Sequence, residues 1–331
     1  MMDSLSVVTS PLEQQKKRKA HLDFLKIVAI FFVLLNHSPG FFLYESATGI
    51  KQWVYLFISV CTKMNVPLFF MVSGALLLTR NETYKTVLQK RFSKYVIILF
   101  TFSFCLFLLV PLMEEGVNNL TMDLPTFLLN WLNGSAPHTW SYWYLYAYLG
   151  MLLMLPFMQK MAQNATDNDF KALFYIHFFL ATVLPSLSVF LSATNSGPLE
   201  LSPHFSVPLA TLKNMFFPFL GYYLENRIDI NKVTNRKMFA FSICTFAGIL
   251  FSCFISYFQG FSYHITQDYF VIFDYLTASF VFIFTKWLFL KVKTKHPTEK
   301  SGRIISFCGA LTFGIYLLEP FLKGFFEIPF F

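Results

Sequence analysis

The sequence predicts an all-α polytopic membrane protein, a bundle of nine to ten transmembrane helices, and three observations carry that prediction. Of its 331 residues, 55% are apolar, 13% are charged and 44 are phenylalanine, whereas a soluble domain carries about 25% charge. Apolar runs of about 20 residues recur along the whole chain, each long enough to cross a hydrocarbon core of about 30 Å. The basic residues gather in alternate loops, the asymmetry that orients helices in a bilayer.

In chain order, the spans fall at 22–44, 53–78, 95–113, 139–158, 171–191, 206–224, 238–258, 267–290 and 304–327. The stretch TMDLPTFLLNWLNG (121–134) is too short to span and contains Pro125, so it is expected as an interfacial or re-entrant segment. With the N-terminus cytoplasmic, the inside set holds Lys16 to Lys19; Arg80, Lys85, Lys90, Arg91 and Lys94; Lys160 and Lys171; Arg227, Lys232, Arg236 and Lys237; and Lys291, Lys293, Lys295, Lys300 and Arg303. Only Lys51 and Lys323 fall outside, and twenty against two supports nine spans. The chain divides into a basic cytoplasmic tail, 1–21, and one transmembrane domain, 22–331. No cleavable signal peptide is expected, because the first residues are polar and end in KKRKAH. The net charge of +8 is read as topology and not as a nucleic-acid surface. The five cysteines all fall in apolar runs without a CxxC pair and are expected as small buried residues, not as disulfides or metal ligands.

Ionisable residues inside spans are costly and therefore informative. His37, Lys63, His177, Lys213, Asp274 and Glu319 lie well inside, while Lys26 and Lys286 lie near cytoplasmic ends where they can snorkel. His37 and Glu319 are each 15 residues from the inner end of their spans, so both sit at a depth of about 22 Å. Lys63, Lys213 and Asp274 lie between the midplane and the outer half, and His138 at the outer mouth of the fourth span. Two readings of Asp274 stand side by side: a wall residue of an outward-opening cavity, or a buried counter-ion for Lys213 or Lys63. His177 is expected as a packing histidine. Asp23 is read as a helix N-cap, as a partner for Arg91, or both. Lys26 and His37 are eleven residues apart, about three helical turns, so they share one face about 16 Å apart along the axis. A phosphate-bearing cofactor with a long flexible arm suits that stripe.

Six blocks in order then resemble the bacterial membrane-bound acyltransferase family 3, whose members O-acylate surface polysaccharides and related molecules. The first is Leu22-Asp23-Phe24-Leu25-Lys26 followed by His37, with lysine where the family has arginine. The others are NVPLFFMVSGALLL (65–78), QKRFSKYVIIL (89–99), HTWSYWYLYAYLGMLLMLPF (138–157), FFPFLGYYL (216–224) and TFGIYLLEPF (312–321), the last with Glu319 where histidine is common. The family often has ten spans, and 121–134 is where a tenth would fall.

The resemblance implies an O-acyltransferase in the bacterial cytoplasmic membrane, most often an O-acetyltransferase. The donor would be acetyl-CoA or another acyl-CoA, without a metal, and the acceptor a hydroxyl of a surface polysaccharide or lipid-linked sugar. His37 would be the general base, or the carrier of a covalent acyl group. Glu319 would orient His37 and Lys63 would stabilise the oxyanion. Lys26, Arg91, Lys94 and Lys90 would contact the coenzyme A phosphates, and His138, Trp140, Trp143 and Asp274 would meet the acceptor. Membrane lipids are the remaining partner, with no nucleic acid. The competing classes are a transporter or flippase for a lipid-linked glycan, disfavoured because Pro67, Pro185 and Pro218 show no symmetry between halves, and a non-catalytic membrane subunit.

Overall fold

Each apolar run becomes a helix because a backbone in lipid must satisfy its own hydrogen bonds. The computed structural model describes residues 19–37, 47–114, 123–193, 197, 199, 201–202, 204–258, 274–292 and 299–325, and among these it contains helices and no strand. The tail 1–18, the far end of the first expected span (38–44), the start of the eighth (267–273), the end of the last (326–327), and Lys293 and Lys295 lie outside the described residues.

The helices are α1 (Ala20–Asn36), α2 (Ile50–Thr62), α3 (Asn65–Leu77), α4 (Ser93–Glu114), α5 (Leu124–Leu132), α6 (Trp143–Asn164), α7 (Asp167–Phe178), α8 (Leu184–Ala193), α9 (Lys213–Asn226), α10 (Asn235–Phe258), α11 (Asp274–Trp287) and α12 (Glu299–Phe325). Polar residues set several starts. Thr166 and Asp169 form a reciprocal capping box at α7, and Asp123 caps α5, whose first turn carries Pro125. Three widened turns, Leu88–Phe92, Phe179–Val183 and Leu288–Val292, adjoin α4, α8 and α11; such turns often mark working parts of a helix.

Among the described residues, five stretches are long and apolar enough to cross a membrane: Ile50–Leu77, Tyr84–Leu109, Asp167–Ser192, Asn235–Tyr257 and Ser301–Leu322. The described parts of the other four expected spans are also helical, but α1, α6, α9 and α11 fall short of that length or apolarity. The segment 121–134 holds the nine-residue α5, too short to cross, and its Phe127 is buried among Phe100, Phe104 and Phe107. Phe31, Phe239 and Phe307 are 58%, 68% and 66% exposed. A surface with that much bare aromatic area fits a lipid solvent and not water.

The tightest contact is between α3 and α9. A Cβ on Gly74 would collide with the backbone of Pro218, and one on Gly221 with the backbone of Met71. The contact is reciprocal, since each glycine faces the residue three before the other. In lipid, helices associate through this sort of small-residue approach. Around it, α1, α6 and α11 pack Leu25, Ala29, Leu152, Leu155 and Phe282 into one core. α12 lies along α1, with Gly309 so close to Asp23 that a Cβ would sit 2.8 Å from the aspartate's own.

Two expectations are corrected. Lys286 does not snorkel: it is buried and donates to the carbonyls of Leu224, Glu225 and Ile228 at 2.9, 2.6 and 3.1 Å, closing the end of α9. The cysteines are free, but only Cys253 is fully buried and Cys244 is exposed, because a lipid-facing thiol costs as little as a buried one.

Gly74→Ala and Gly221→Ala are each expected to destabilise the bundle by about 1–3 kcal/mol, read as thermal unfolding in detergent. Gly314→Ala, where a Cβ meets nothing within 4 Å, should leave the melt unchanged; equal tolerance at all three positions would contradict the crossing.

Candidate active site

A cavity of about 970 Å³ opens between α1, α3, α6, α9 and α12. Lys26, Arg80 and Arg91 stand at one end, and Asn36, His37, Lys63, Trp140, Trp143 and Lys213 at the other. Between them Tyr95, Tyr144, Tyr148 and Tyr316 form an aromatic belt. Lys26 and His37 both face it, as their eleven-residue spacing predicts.

The wall is one-sided in charge. Its ionisable members are basic residues and tyrosines, with no aspartate or glutamate among the described residues. The carboxylates stand behind their cations. Asp23 accepts from Lys26 at 3.0 Å and from Ser306 at 3.2 Å. Glu82 takes Arg91 in a two-pronged pair at 2.6 and 2.5 Å, with Arg80 at 3.5 Å. Asp274 Oδ2 lies 3.4 Å from Lys213 Nζ, and Glu319 Oε1 lies 3.4 Å from His37 Nδ1.

His37 is framed by an aromatic ring and a carboxylate. Its ring meets the Trp140 ring edge-on at 4.5 Å. The turn Trp140–Tyr142 is tied twice to α12 just before Glu319: the Tyr142 hydroxyl donates to the Leu317 carbonyl at 2.7 Å, and Tyr316 donates to the Ser141 carbonyl at 2.5 Å. The break between α2 and α3 brings Lys63 to the cavity, where its ammonium donates to Asn36 Oδ1 at 3.3 Å. Thr62 donates to the same oxygen at 3.0 Å. Arg91 sits in the widened turn before α4, and the Glu82 amide donates to Gln159 on α6 at 3.0 Å.

The structure therefore brings together Lys26, His37, Lys63, Arg91, Trp140 and Trp143, with Glu319 directly behind His37. It leaves others out. Lys90 and Lys94 are exposed and add nothing to the wall, since only one side of the turn that carries Arg91 faces inward. His138, at a left-handed φ of 59° ahead of Trp140, is exposed and also off the wall. Asp274 is fully buried behind Lys213 and off the wall, the place of a counter-ion. Asp23 is neither a cap nor a partner of Arg91: α1 starts at Ala20, its cap position Lys19 makes no side-chain cap bond, and Arg91 pairs with Glu82. His177 packs as expected, donating to the Ala210 carbonyl at 2.6 Å and stacking on Phe216.

Asn36 and the four tyrosines escape a reading based on charge. Asn36 was legible only as the second polar residue beside His37, and tyrosines in membrane helices ordinarily read as interfacial anchors.

The sequence model of the acyltransferase domain matches residues 19–330, nearly the whole chain. The chain belongs to acyltransferase family 3. No curated protein and no solved structure gives a significant match. For this acyltransferase the match covers every helix that builds the cavity, from Lys26 on α1 to Tyr316 on α12.

Outside the membrane segments, hydrogen bonding to Arg91 holds the Glu82 carboxyl below its ordinary range. A depressed carboxylate adds stability that is complete above its unfolded value and is lost as pH falls through the folded one. The melting difference between the wild-type acyltransferase and Glu82→Gln should therefore be constant from neutral pH to about pH 5, then vanish on further acidification. A difference independent of pH would contradict the pairing.

Proposed function

We propose that this acyltransferase is an O-acetyltransferase of the bacterial cytoplasmic membrane, with nine spans and a cytoplasmic N-terminus. It moves an acyl group from acyl-CoA to a hydroxyl of a surface polysaccharide or lipid-linked sugar. The observation that carries this reading is that Lys26 and His37 line opposite ends of one cavity.

The wall chemistry fits the donor. Lys26, Arg80 and Arg91 offer a cationic mouth for the phosphates, and about 16 Å of tyrosine-lined passage suits an extended pantetheine arm. Lysine at position 26 gives a point charge and not a bidentate fork, while Arg91 supplies the fork. The thioester then lies beside His37.

The reaction follows from the His37 surroundings. Glu319 beside Nδ1 favours the tautomer with its proton there, which leaves the lone pair on Nε2. Nε2 takes the acceptor hydroxyl proton as the oxygen attacks the thioester carbonyl, and Glu319 stabilises the imidazolium that forms. Lys63, fixed through Asn36, faces the developing oxyanion. Collapse breaks the carbon–sulfur bond, and the departing thiolate recovers the proton from His37. Trp140 and Trp143, each about half exposed at the cavity rim, offer faces for the sugar. No metal enters.

With purified protein and labelled acetyl-CoA, His37→Ala should cut transfer by about 10²–10⁴-fold. Glu319→Gln should lower kcat less and leave the KM for acetyl-CoA unchanged, whereas Lys26→Gln should raise that KM. Wild-type turnover in His37→Ala would sink the mechanism. In cells, deletion should remove O-acetyl groups from the surface glycan by mass spectrometry.

A further inference from the structure

Tyr142 is fully buried and forms no part of the cavity wall, so its hydroxyl serves something other than a ligand. It packs in one apolar cluster with Ile30 and Val33 of α1, Leu145 of α6 and Leu317 of α12. That cluster joins the helix leading to His37 with the helix that carries Glu319. Burying a phenol there is costly unless its hydroxyl is used.

The hydroxyl goes to a weak point of α12. Pro320 lies inside that helix and has no N–H to give the Tyr316 carbonyl. Its ring also disfavours helical geometry at Glu319, the residue before it. The turn that carries Glu319 is thus held less by its own helix than the turns around it. Two bonds from outside the helix ladder hold it instead. Tyr142 donates to the Leu317 carbonyl at 2.7 Å, and Tyr316 donates to the Ser141 carbonyl at 2.5 Å. The pair is reciprocal, each tyrosine reaching the residue beside the other, with ring centres 6.0 Å apart. Two residues beyond Leu317, Glu319 Oε1 lies 3.4 Å from His37 Nδ1. Hydrogen bonds of this kind extend to about 3.2 Å, so a small displacement of the turn decides whether the carboxylate engages the imidazole.

We infer that Tyr142 is a positioning residue: with Tyr316 it fixes the proline-weakened turn of α12 and so sets the Glu319 carboxylate against His37. Its effect on turnover rests on the acyltransfer reading; its hold on Glu319 does not.

Tyr142→Phe keeps the ring and removes the hydroxyl alone. The assay uses full-length protein, labelled acetyl-CoA and, as acceptor, the cells' own surface glycan freed of esters by mild alkali. In Tyr142→Phe, kcat should fall about tenfold, the effect of one hydrogen bond, with the KM for acetyl-CoA unchanged. In a Glu319→Gln background the same change should lower kcat less than about twofold, because the group it positions is gone. Tyr146→Phe is the control. Its hydroxyl also donates from α6 to a backbone carbonyl, but that of Trp131 on α5 and not one on α12, so kcat should stay at the wild-type level. Wild-type kcat in Tyr142→Phe, an undiminished loss in the Glu319→Gln background, or an equal loss in Tyr146→Phe would overturn the inference. Should no label move, or should His37→Ala turn over like the wild type, the acyltransfer reading falls and thermal unfolding in detergent decides the positioning. Tyr142→Phe and Glu319→Gln together should then lower the melting temperature by less than the sum of their separate effects, and additive shifts would overturn it.

Discussion

A charge that cannot face lipid must face a partner or a cavity, and the interior of this bundle is organised by that constraint. Asp23, Glu82, Asp274 and Glu319 sit behind the wall, each against a basic residue that reaches the cavity: Lys26, Arg91, Lys213 and His37. A buried pair of this sort adds little net stability, but removing one member is expensive. Its consequence here is directional. The carboxylates anchor the cations, and the cations give the cavity a positive surface from end to end.

The helices supply the geometry that this arrangement needs. The glycine crossing of α3 and α9 brings their backbones together, and both helices begin at the same end of the cavity as Lys63 and Lys213. Along the opposite wall, Gly309 lets α12 lie against α1, which is what places Glu319 within reach of His37. Small residues thus act at a distance on the chemistry: a bulkier one at position 309 would push on Asp23 and, through it, on Lys26.

Depth and face were legible in the sequence because both follow from 1.5 Å per residue and 3.6 residues per turn. Those two numbers put His37 level with Glu319 and on the Lys26 stripe, and the structure sets Lys26 and His37 on one cavity with Glu319 behind His37. Inside a span, charge flagged the right residues, but it did not tell a wall from its backing. Asp274 and Lys213 are equally unusual in an apolar run, and only packing shows that the aspartate is the hidden one. Neutral residues carried no flag at all, so Asn36 and the tyrosine belt surfaced only with the fold. The pairing of Arg91 also depended on local detail: it sits in a widened turn, and its partner is Glu82, nine residues earlier.

Donor and acceptor meet, in this account, at one histidine reached from both ends of one positive cavity. The most direct measurement is a structure of the protein with a non-hydrolysable acyl-CoA analogue in which the thioester sulfur is replaced by methylene. The account predicts phosphates against Lys26 and Arg91, the pantetheine arm along Tyr95 and Tyr148, and the acyl carbonyl carbon within about 4 Å of His37 Nε2. An analogue bound outside the cavity, or with its carbonyl remote from His37, would contradict it.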